Sequence, residues 1–283
     1  MKPRIAPALL SAIAAMALST SAQAIVGGVP TTDFKAIGIG VQVTDNWVLT
    51  VQHAAFGVGG TYTNGYGSRT VLARYDAPGS GTFPANDLSL LRLAPGSVSV
   101  SGLAVSADLF ADGSFAALAV TISSPLNSGP ARGYGFTTIS EFTTLADPDD
   151  AGPLGPVRVN YLISRDTAVH VQGGDSGGGL FLGHVTDHSR PLLGLSSALL
   201  TDANDVPTGS AFVLLAAYRP WIDQTLADDL VDVQSIHWIS AVPEPGSWAL
   251  WLLGLGGFVV VQAQRKARSA HFPSRCAGRQ AAA

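Results

Sequence analysis

The sequence predicts an all-β fold that ends in one short helix, and three features of the chain support this prediction. Short apolar or alternating segments recur between turn-forming residues, which is typical of β-strands. The 283 residues include 32 glycines and 17 prolines, so turns are frequent and long helices are hard to place. Residues 214–229 instead repeat apolar side chains every three to four positions, which is the period of an amphipathic helix.

Eight segments are predicted as strands, and their spacing suits a barrel or a sandwich. They are Gly38–Val43, Trp47–Val51, Thr70–Arg74, Leu88–Leu93, Leu118–Ile122, Val157–Leu162, Leu180–Leu182 and Leu192–Ser196. The stretch 95–113 is rich in Ser, Gly and Ala, and we expect it to connect two halves of similar length, 25–100 and 112–213. The helix at 214–229 would follow the second half.

The composition excludes several classes of protein. Hydrophobic residues make up 47% of the chain and charged residues 13%, which gives material for a core and too little charge for a disordered protein. The net charge is -4 and no basic stripe crosses the chain, so we expect no nucleic-acid partner. Cys276 is the one cysteine, so an internal disulfide is impossible. We expect no metal and no organic cofactor.

The first 24 residues have the pattern of a signal peptide. Lys2 and Arg4 give a positive start, 9–18 is largely apolar, and Ala22-Gln23-Ala24 is a small-residue cleavage site. An anchoring helix is the alternative, but the apolar run is short for a membrane span. Signal peptidase is therefore an expected partner, and its cleavage would make Ile25 the first residue.

The C-terminal end has a different pattern, which follows a predicted linker at 230–241. Pro243-Glu244-Pro245 precedes an apolar run at 248–261 and a basic cluster at 265–268. We expect 242–268 to be a transmembrane segment whose basic end faces the cytoplasm, which leaves the globular part outside. A buried core helix is the alternative interpretation.

These three parts resemble the PEP-CTERM sorting signal of Gram-negative bacteria. The resemblance implies an exosortase-type sorting enzyme as a partner and transient anchoring in the inner membrane. The protein would then be exported to the periplasm, the cell surface or the medium. The tail at 269–283 departs from the pattern, because such signals usually stop soon after the basic cluster.

Three segments in the middle of the chain hold side chains suited to nucleophilic catalysis. Ser176 lies in a glycine-rich segment, 173–179, where glycines allow a tight turn and close approach of a substrate carbonyl. His53 follows an apolar strand and can take a proton from a serine near neutral pH. Asp87 precedes another apolar strand and can orient that histidine. Taken singly, the three have simpler interpretations as a flexible loop, a structural histidine and a turn residue.

His53, Asp87 and Ser176 occur in the order that chymotrypsin uses. From Ile25 to about Asp223, the chain resembles the trypsin/chymotrypsin-like (S1) serine proteases. This resemblance implies two six-stranded antiparallel β-barrels with a short C-terminal helix, and a secreted endopeptidase that cleaves protein or peptide substrates. Ser176 would attack the peptide carbonyl, His53 would move the proton and Asp87 would hold the imidazole, while the N–H groups of Gly174 and Ser176 would form the oxyanion hole.

The resemblance also implies roles for residues outside this triad. The sequence Ile25-Val26-Gly27-Gly28 is similar to the mature N-terminus of such enzymes, whose amino group pairs with the residue before the nucleophile, here Asp175. His170 would lie at the base of the main specificity pocket, with Ser197 and Leu199 on its wall. The base of the pocket would hold His170 and not an acidic residue. We therefore expect small or medium apolar side chains at the cleavage site, or acidic ones if His170 is charged. Lysine and arginine are disfavoured.

Some features depart from the family pattern without touching the triad. Ala54 stands where relatives have a disulfide cysteine, and Gly179 where they often have proline. Asp87 follows His53 more closely than in relatives, so we expect shortened loops in the first half. Two alternatives remain at this point: an esterase or narrow processing protease, and a non-catalytic surface or matrix-associated module on a protease scaffold.

Overall fold

The computed structural model describes residues 25–78, 86–96, 100, 103–110, 117–125, 132–152, 155–232 and 234–240. The chain divides into two compact units, residues 1–241 and 242–283. The predicted signal peptide, the transmembrane segment at 242–268 and the tail at 269–283 lie outside the described residues. Within the described ranges, no helix is long and apolar enough to cross a membrane.

The described part of the chain is built from short strands. Numbered in chain order, they are β1 (Ile25–Val26), β2 (Val29–Thr31), β3 (Ile37–Gly38), β4 (Gly40–Gln42), β5 (Trp47–Thr50), β6 (Thr61–Asn64), β7 (Gly67–Asp76), β8 (Ser89–Leu93), β9 (Ala104–Ser106), β10 (Leu118–Pro125), β11 (Arg132–Ile139), β12 (Glu141–Gly152), β13 (Gly155–Ser164), β14 (His170–Val171), β15 (Gly179–Leu182), β16 (Leu192–Thr201), β17 (Pro207–Leu214) and β18 (His237–Ile239). The strands group into two large sheets and one short pair.

The first sheet has six antiparallel strands in the order β3-β4-β5-β8-β7-β6. Its centre is β5, whose four residues are all buried, so both faces of this strand are covered. Trp47 lies opposite Arg92, and Leu49 lies opposite Leu90. Since β5 leads into His53 and Asp87 leads into β8, this pairing brings the two predicted site residues to the same end of the sheet.

The second sheet has ten strands among the described residues. Its main path runs β12-β13-β17-β16-β15-β10-β11-β2, and β9 joins β16 and β18 in parallel pairs. The separate pair joins β1 to β14, with Ile25 opposite Val171. Side chains from both large sheets share one core cluster, in which Trp47 and Leu49 of the first sheet occur with Phe181 and Val213 of the second.

One α-helix, α1 (Arg219–Asp228), follows β17 through a 3-10 turn at Leu215–Tyr218. Pro220 lies in the first turn of α1, where its missing N–H leaves no hydrogen bond unmade. Ile222 and Leu226 are buried, and their spacing of four places them on the same face. The all-β class with a short C-terminal helix is therefore confirmed. The second sheet, however, has ten strands among the described residues where six were predicted, and β2, β9 and β18 are three of its members.

Residues after α1, predicted as a linker, pack against the domain. We call residues 234–240 the C-terminal strap, which contains β18. The indole Nε1 of Trp238 donates to Asp223 Oδ1 at 2.8 Å, and the Arg219 guanidinium lies 5.3 Å from the Trp238 ring centroid. Ile236 is buried. The strap also pairs in parallel with β9, a strand within the stretch 95–113 that the sequence predicts as a connection.

The start of this C-terminal region is fixed to the first sheet. Asp229 Oδ2 lies 2.8 Å from Arg92 Nε and accepts a hydrogen bond from the Tyr75 hydroxyl at 3.0 Å. Asp229 Oδ1 accepts the backbone N–H of Val231 at 3.0 Å. The carboxylate is buried and balances Arg92, whose side chain is only 15% exposed. The chain beyond α1 is thus tied to β7 and β8.

Candidate active site

His53 lies in a short 3-10 turn, Gln52–Ala54, directly after β5. The buried strand fixes where the turn begins, since Val51 is fully covered. None of the three residues in the turn is buried, and the His53 side chain is 33% exposed. The imidazole is therefore presented at the surface on the end of a covered strand.

Asp87 is the buried partner of this histidine, at 1% exposure. Both of its carboxylate oxygens lie 2.9 Å from His53 Nδ1, and Oδ1 also accepts the backbone N–H of His53 at 3.0 Å. Asn86 precedes it with φ of 53°, a left-handed conformation that asparagine tolerates better than most residues. This kink comes just before β8 and positions the carboxylate under the histidine.

Ser176 reaches the same point from the second sheet. Its Oγ lies 2.8 Å from His53 Nε2. Gly177 has φ of 81°, and a Cβ there would lie 2.8 Å from the Gly40 nitrogen and 2.9 Å from Thr50 Oγ1. A side chain at Gly177 would therefore push the nucleophile loop away from the first sheet. The glycine allows the close approach that brings Ser176 to His53.

Two backbone N–H groups beside Ser176 are free to bind an oxygen atom. Within the described part of the chain, neither Gly174 nor Ser176 donates its backbone N–H to another group. Gly174 has φ of 99°, which only glycine adopts readily. These are the two groups predicted as the oxyanion hole, and both lie in the turn that carries the hydroxyl.

Asp175 is buried at 1% exposure between these two residues. Its Oδ1 accepts a hydrogen bond from Ser124 Oγ at 2.7 Å, and its Oδ2 accepts the Gln172 N–H at 2.8 Å. Burial raises the pKa of Asp175 to about 7, although the Ser124 and Gln172 hydrogen bonds act in the opposite direction. A nearby cation would favour the ionised form of a buried carboxyl whose pKa is raised in this way.

Ile25, the predicted partner of Asp175, is buried and lies in β1. Its strand pairs with β14, where Ile25 lies opposite Val171. Val171 is four positions before Asp175 in sequence. In the uncleaved chain the nitrogen of Ile25 belongs to a peptide bond, so it carries no charge. Gly135 leaves space for Ile25, since a Cβ on Gly135 would lie 3.3 Å from Ile25 Cγ2.

The predicted pocket residues occupy different environments. His170 is buried in β14, and its Nδ1 lies 3.0 Å from the Thr167 carbonyl oxygen, an acceptor that requires the proton on Nδ1. Ser197 turns its hydroxyl to Asp87 Oδ2 at 2.6 Å, so this side chain supports the triad carboxylate. Leu199 is 36% exposed on β16 and lies opposite Ser210 of β17.

Several residues around the site were not predicted from the sequence. Ser124 contacts Asp175, and Ser210 accepts the Val171 N–H through Oγ at 3.0 Å. The Tyr161 hydroxyl lies 3.5 Å from Ser197 Oγ. Burial, together with the nearby Asp87 charge, raises the pKa of Tyr161 to about 12, although the Ser197 hydrogen bond lowers it. No short motif marks these residues, because their contacts join strands far apart in sequence.

The arrangement is suited to proton transfer from a serine. With a proton on Nδ1 held by the carboxylate, the other nitrogen of His53 presents a lone pair to the Ser176 hydroxyl. Asp87 is placed to stabilise the imidazolium that would form. Within the described residues, no group of three His, Cys, Asp or Glu side chains could hold a metal ion.

Comparisons with known proteins give a motif at the C-terminus and a set of similar folds. Residues 241–266 match the PEP-CTERM protein-sorting motif. No curated protein sequence matches the chain.

Solved structures with a similar fold include human heparin-binding protein, at 17% identity and a TM-score of 0.48, over 72% of this chain and 97% of that one. The inactive form of the Mycobacterium tuberculosis protein Rv3671c has 18% identity and a TM-score of 0.46, over 81% and 98%. Kallikrein-related peptidase 10 in complex with Zn²⁺ has 20% identity and a TM-score of 0.42, over 67% and 89%.

At these identities and TM-scores, the likeness does not bear on function, which has to be inferred from the site itself. The sorting motif is independent of the fold and indicates where the protein is sent. Residues 241–266 therefore carry a protein-sorting motif of the PEP-CTERM type.

Proposed function

We propose that the chain is an exported serine endopeptidase that cleaves protein or peptide substrates through His53, Asp87 and Ser176. The observation that carries the proposal is one continuous line of contacts. Ser176 Oγ lies 2.8 Å from His53 Nε2, and His53 Nδ1 lies 2.9 Å from a buried carboxylate. A hydroxyl, a base and an orienting acid at these distances are what acyl transfer requires.

The reaction would proceed through an acyl-enzyme. His53 takes the proton as Ser176 Oγ bonds to the peptide carbonyl carbon, and the carbonyl oxygen becomes an oxyanion. The N–H groups of Gly174 and Ser176 would stabilise this charge, at roughly 10²–10³ in rate for each donor. His53 then returns the proton to the leaving amine as the peptide bond breaks. Water repeats the cycle and releases the acyl group.

We further propose that signal peptidase activates the enzyme. Cleavage after Ala24 would create a charged amino group on Ile25, a residue that is already buried beside the segment preceding Asp175. The raised pKa of Asp175 fits a carboxyl that awaits this cation. Pairing would favour the ionised form of Asp175 and hold the adjacent nucleophile turn.

The proposed substrate preference is for small or medium apolar side chains. Leu199 lies opposite Ser210 across β16 and β17, and Ser210 Oγ accepts the N–H of Val171 at 3.0 Å. His170 and Val171 are buried, and they precede the nucleophile turn in sequence. None of the residues 167–174 or 196–200 is acidic, so a lysine or arginine side chain of the substrate would meet no counter-charge there.

The C-terminal motif supports export with a transient anchor. We propose that 242–268 holds the protein in the inner membrane until an exosortase-type enzyme processes it, with the catalytic part in the periplasm or beyond. This part of the proposal rests on the motif match at 241–266 and on the apolar and basic pattern of the sequence.

The test is labelling of the exported protein with a fluorophosphonate, which reacts with activated serine hydroxyls. Ser176→Ala is the matched control, because it removes only the nucleophile oxygen. We expect labelling of the protein that begins at Ile25 and none in the control. A peptide library should then show cleavage after alanine, valine or leucine in preference to lysine or arginine.

A folded protein that begins at Ile25 and does not label would contradict the proposal. That result would favour a non-catalytic surface module instead. Labelling without peptide cleavage would favour the esterase or a narrow processing enzyme. An active form with any other first residue would overturn the activation step alone.

A further inference from the structure

The turn that carries His53 is exposed, and its backbone is held to the buried Asp87 by the His53 N–H. None of its residues is buried, and no side chain caps its first residue. Its two backbone hydrogen bonds, from Ala54 N to Val51 O and from Ala55 N to Gln52 O, are both 3.2 Å long. The chain has a single cysteine, Cys276, so no internal disulfide can brace the turn.

Arg74 of β7 contacts both ends of this turn. Its Nη2 donates to the Gln52 carbonyl at 3.2 Å, and its Nη1 donates to the Ala55 carbonyl at 3.0 Å. These two carbonyls flank His53 in sequence. A planar guanidinium can bridge two acceptors in a fixed geometry, which a lysine ammonium cannot do in the same way.

Asp76 holds the guanidinium from the other side. Its Oδ1 accepts from Arg74 Nε at 2.7 Å, and the same oxygen accepts the Ser89 hydroxyl in a short hydrogen bond. Burial acts to raise the pKa of Asp76, but the hydrogen bonds from Arg74, Ser89 and Gln52 outweigh it and lower that pKa. Asp76 is therefore a carboxylate at neutral pH.

Ser89 connects this group to the strand that follows Asp87. It is fully buried in β8, where it lies opposite Thr50 on one side and Asp76 on the other. The contacts thus run from the His53 turn through Arg74 and Asp76 to a residue two positions after Asp87. One polar chain joins the segments that carry the base and the acid.

We infer that Arg74 and Asp76 are positioning residues that hold His53 in register with Asp87, as a noncovalent brace in a loop that has no disulfide. The inference rests on the proposed function. Arg74 and Asp76 are 25% and 38% exposed, so solvent screens their attraction and their value lies in geometry more than in stability. Neither residue contacts Ser176, so neither takes part in the chemistry.

The test compares Arg74→Gln and Arg74→Lys with Arg69→Lys in the exported protein. Arg69 lies on the same strand and donates to the Asp45 carbonyl at 2.7 Å, so it is a matched arginine outside the brace. We expect kcat to fall at least about tenfold in both Arg74 variants with KM changed less than about twofold, because the brace orients a catalytic group without binding substrate. Arg69→Lys should keep wild-type kcat.

A second measurement does not depend on activity. In the full chain with Ser176→Ala, NMR of His53 would report the proton on Nδ1 that faces Asp87. We expect Arg74→Gln to broaden or remove the Nδ1–H resonance, while Arg69→Lys leaves it unchanged. Folded Arg74 variants with wild-type kcat and an unchanged His53 spectrum would overturn the inference.

The two measurements also separate this inference from the proposed function. If the wild-type protein fails to label with a fluorophosphonate, the proposed enzyme is wrong, but the NMR comparison still decides whether Arg74 orders His53. Should Arg74→Gln fail to fold, Arg74→Lys keeps the charge and most of the side chain, and its kcat decides the question. Wild-type kcat in folded Arg74→Lys would then contradict the inference.

Discussion

Ser197 donates a hydrogen bond of 2.6 Å to Asp87 Oδ2, which joins the second sheet to the acid of the proposed triad. The same carboxylate holds His53 Nδ1 at 2.9 Å. Ser197 therefore restricts the group that orients the base. Its backbone lies on β16 beside Leu199, so one strand both supports the triad and borders the proposed substrate site.

Removal of this hydroxyl should reduce catalysis. A hydrogen bond to a charged group contributes roughly 1.5–3 kcal/mol, so we expect Ser197→Ala to lower kcat/KM by about tenfold to a hundredfold. The loss should appear mainly in kcat, because the hydroxyl points to Asp87. Steady-state kinetics with one peptide substrate would measure it.

Ser196→Ala is the matched control for this prediction. The Ser196 hydroxyl is buried, and it has no hydrogen-bond partner within the described part of the chain. Its removal should leave kcat/KM within about twofold and should not lower stability, since an unpaired buried hydroxyl contributes nothing favourable. Equal effects of the two substitutions would contradict the role of Ser197.

The pKa of Asp175 should make the uncleaved chain less stable as pH rises. Its pKa is about 7 in the folded state against 3.8 for an ordinary aspartate, so between these values the folded chain binds the proton that the unfolded chain has lost. The free energy of unfolding should therefore decline from about pH 4 to about pH 7, by up to about 4 kcal/mol.

Urea unfolding at several pH values would measure this decline. Asp175→Asn should remove most of it, because the amide does not titrate. Asp187→Asn, which changes an exposed aspartate, should leave it in place. In the chain that begins at Ile25 the decline should shrink, since the new amino group stabilises the carboxylate. The same pH dependence in Asp175→Asn would assign the effect to another group.

Asp229 should show the opposite pH dependence. Burial acts to raise its pKa, but the Val231 N–H, the Tyr75 hydroxyl and the Arg92 charge together lower it. The stability that Asp229 contributes is therefore present at neutral pH and is lost as pH falls through the lowered pKa.

Asp229→Asn should lower the free energy of unfolding at neutral pH by about 3 kcal/mol, because it leaves Arg92 without its partner in a largely buried position. The difference from wild type should shrink in acid. Asp228→Asn is the control. Asp228 is the next residue in sequence, and among the described residues its carboxylate accepts a hydrogen bond only from the Gln224 side chain. Unfolding in urea at two pH values would separate the variants.

Trp238 should anchor the C-terminal strap. Trp238→Ala removes the hydrogen bond to Asp223 and the contact with Arg219, which together contribute about 1.5–3 kcal/mol. We expect lower thermal stability and faster proteolytic cleavage within 230–240. His237→Ala, on an exposed neighbour in the same strand, should change neither; equal effects would show that the indole is not the anchor.

The sequence predicts the site better than it predicts the sheets. His53, Asp87 and Ser176 stand in short motifs with a fixed order, and the structure brings these three side chains within hydrogen-bond distance. The glycines around Ser176 are informative for the same reason, since positive φ and close approach leave few alternatives.

The remaining features depend on pairing between distant segments, which local patterns do not encode. The strap is short and follows a helix, so the sequence predicts a linker, yet its parallel pairing with β9 makes it part of the second sheet. Arg74 is an ordinary strand residue by sequence, and Ser197 was predicted on the pocket wall and not as a support of Asp87. Their importance comes from the register that places Asp76 opposite Ser89 and carries Ser197 to Asp87.

Gly177 rests against Gly40 and Thr50, so the nucleophile loop of one sheet lies directly on a strand edge of the other. The activity of the proposed enzyme therefore depends on how the two sheets pack. If the sheets separated by an ångström or two, Ser176 would lose its hydrogen bond to His53 while every strand stayed paired. Heat inactivation measured by hydrolysis should then begin at a lower temperature than the loss of β-structure measured by circular dichroism.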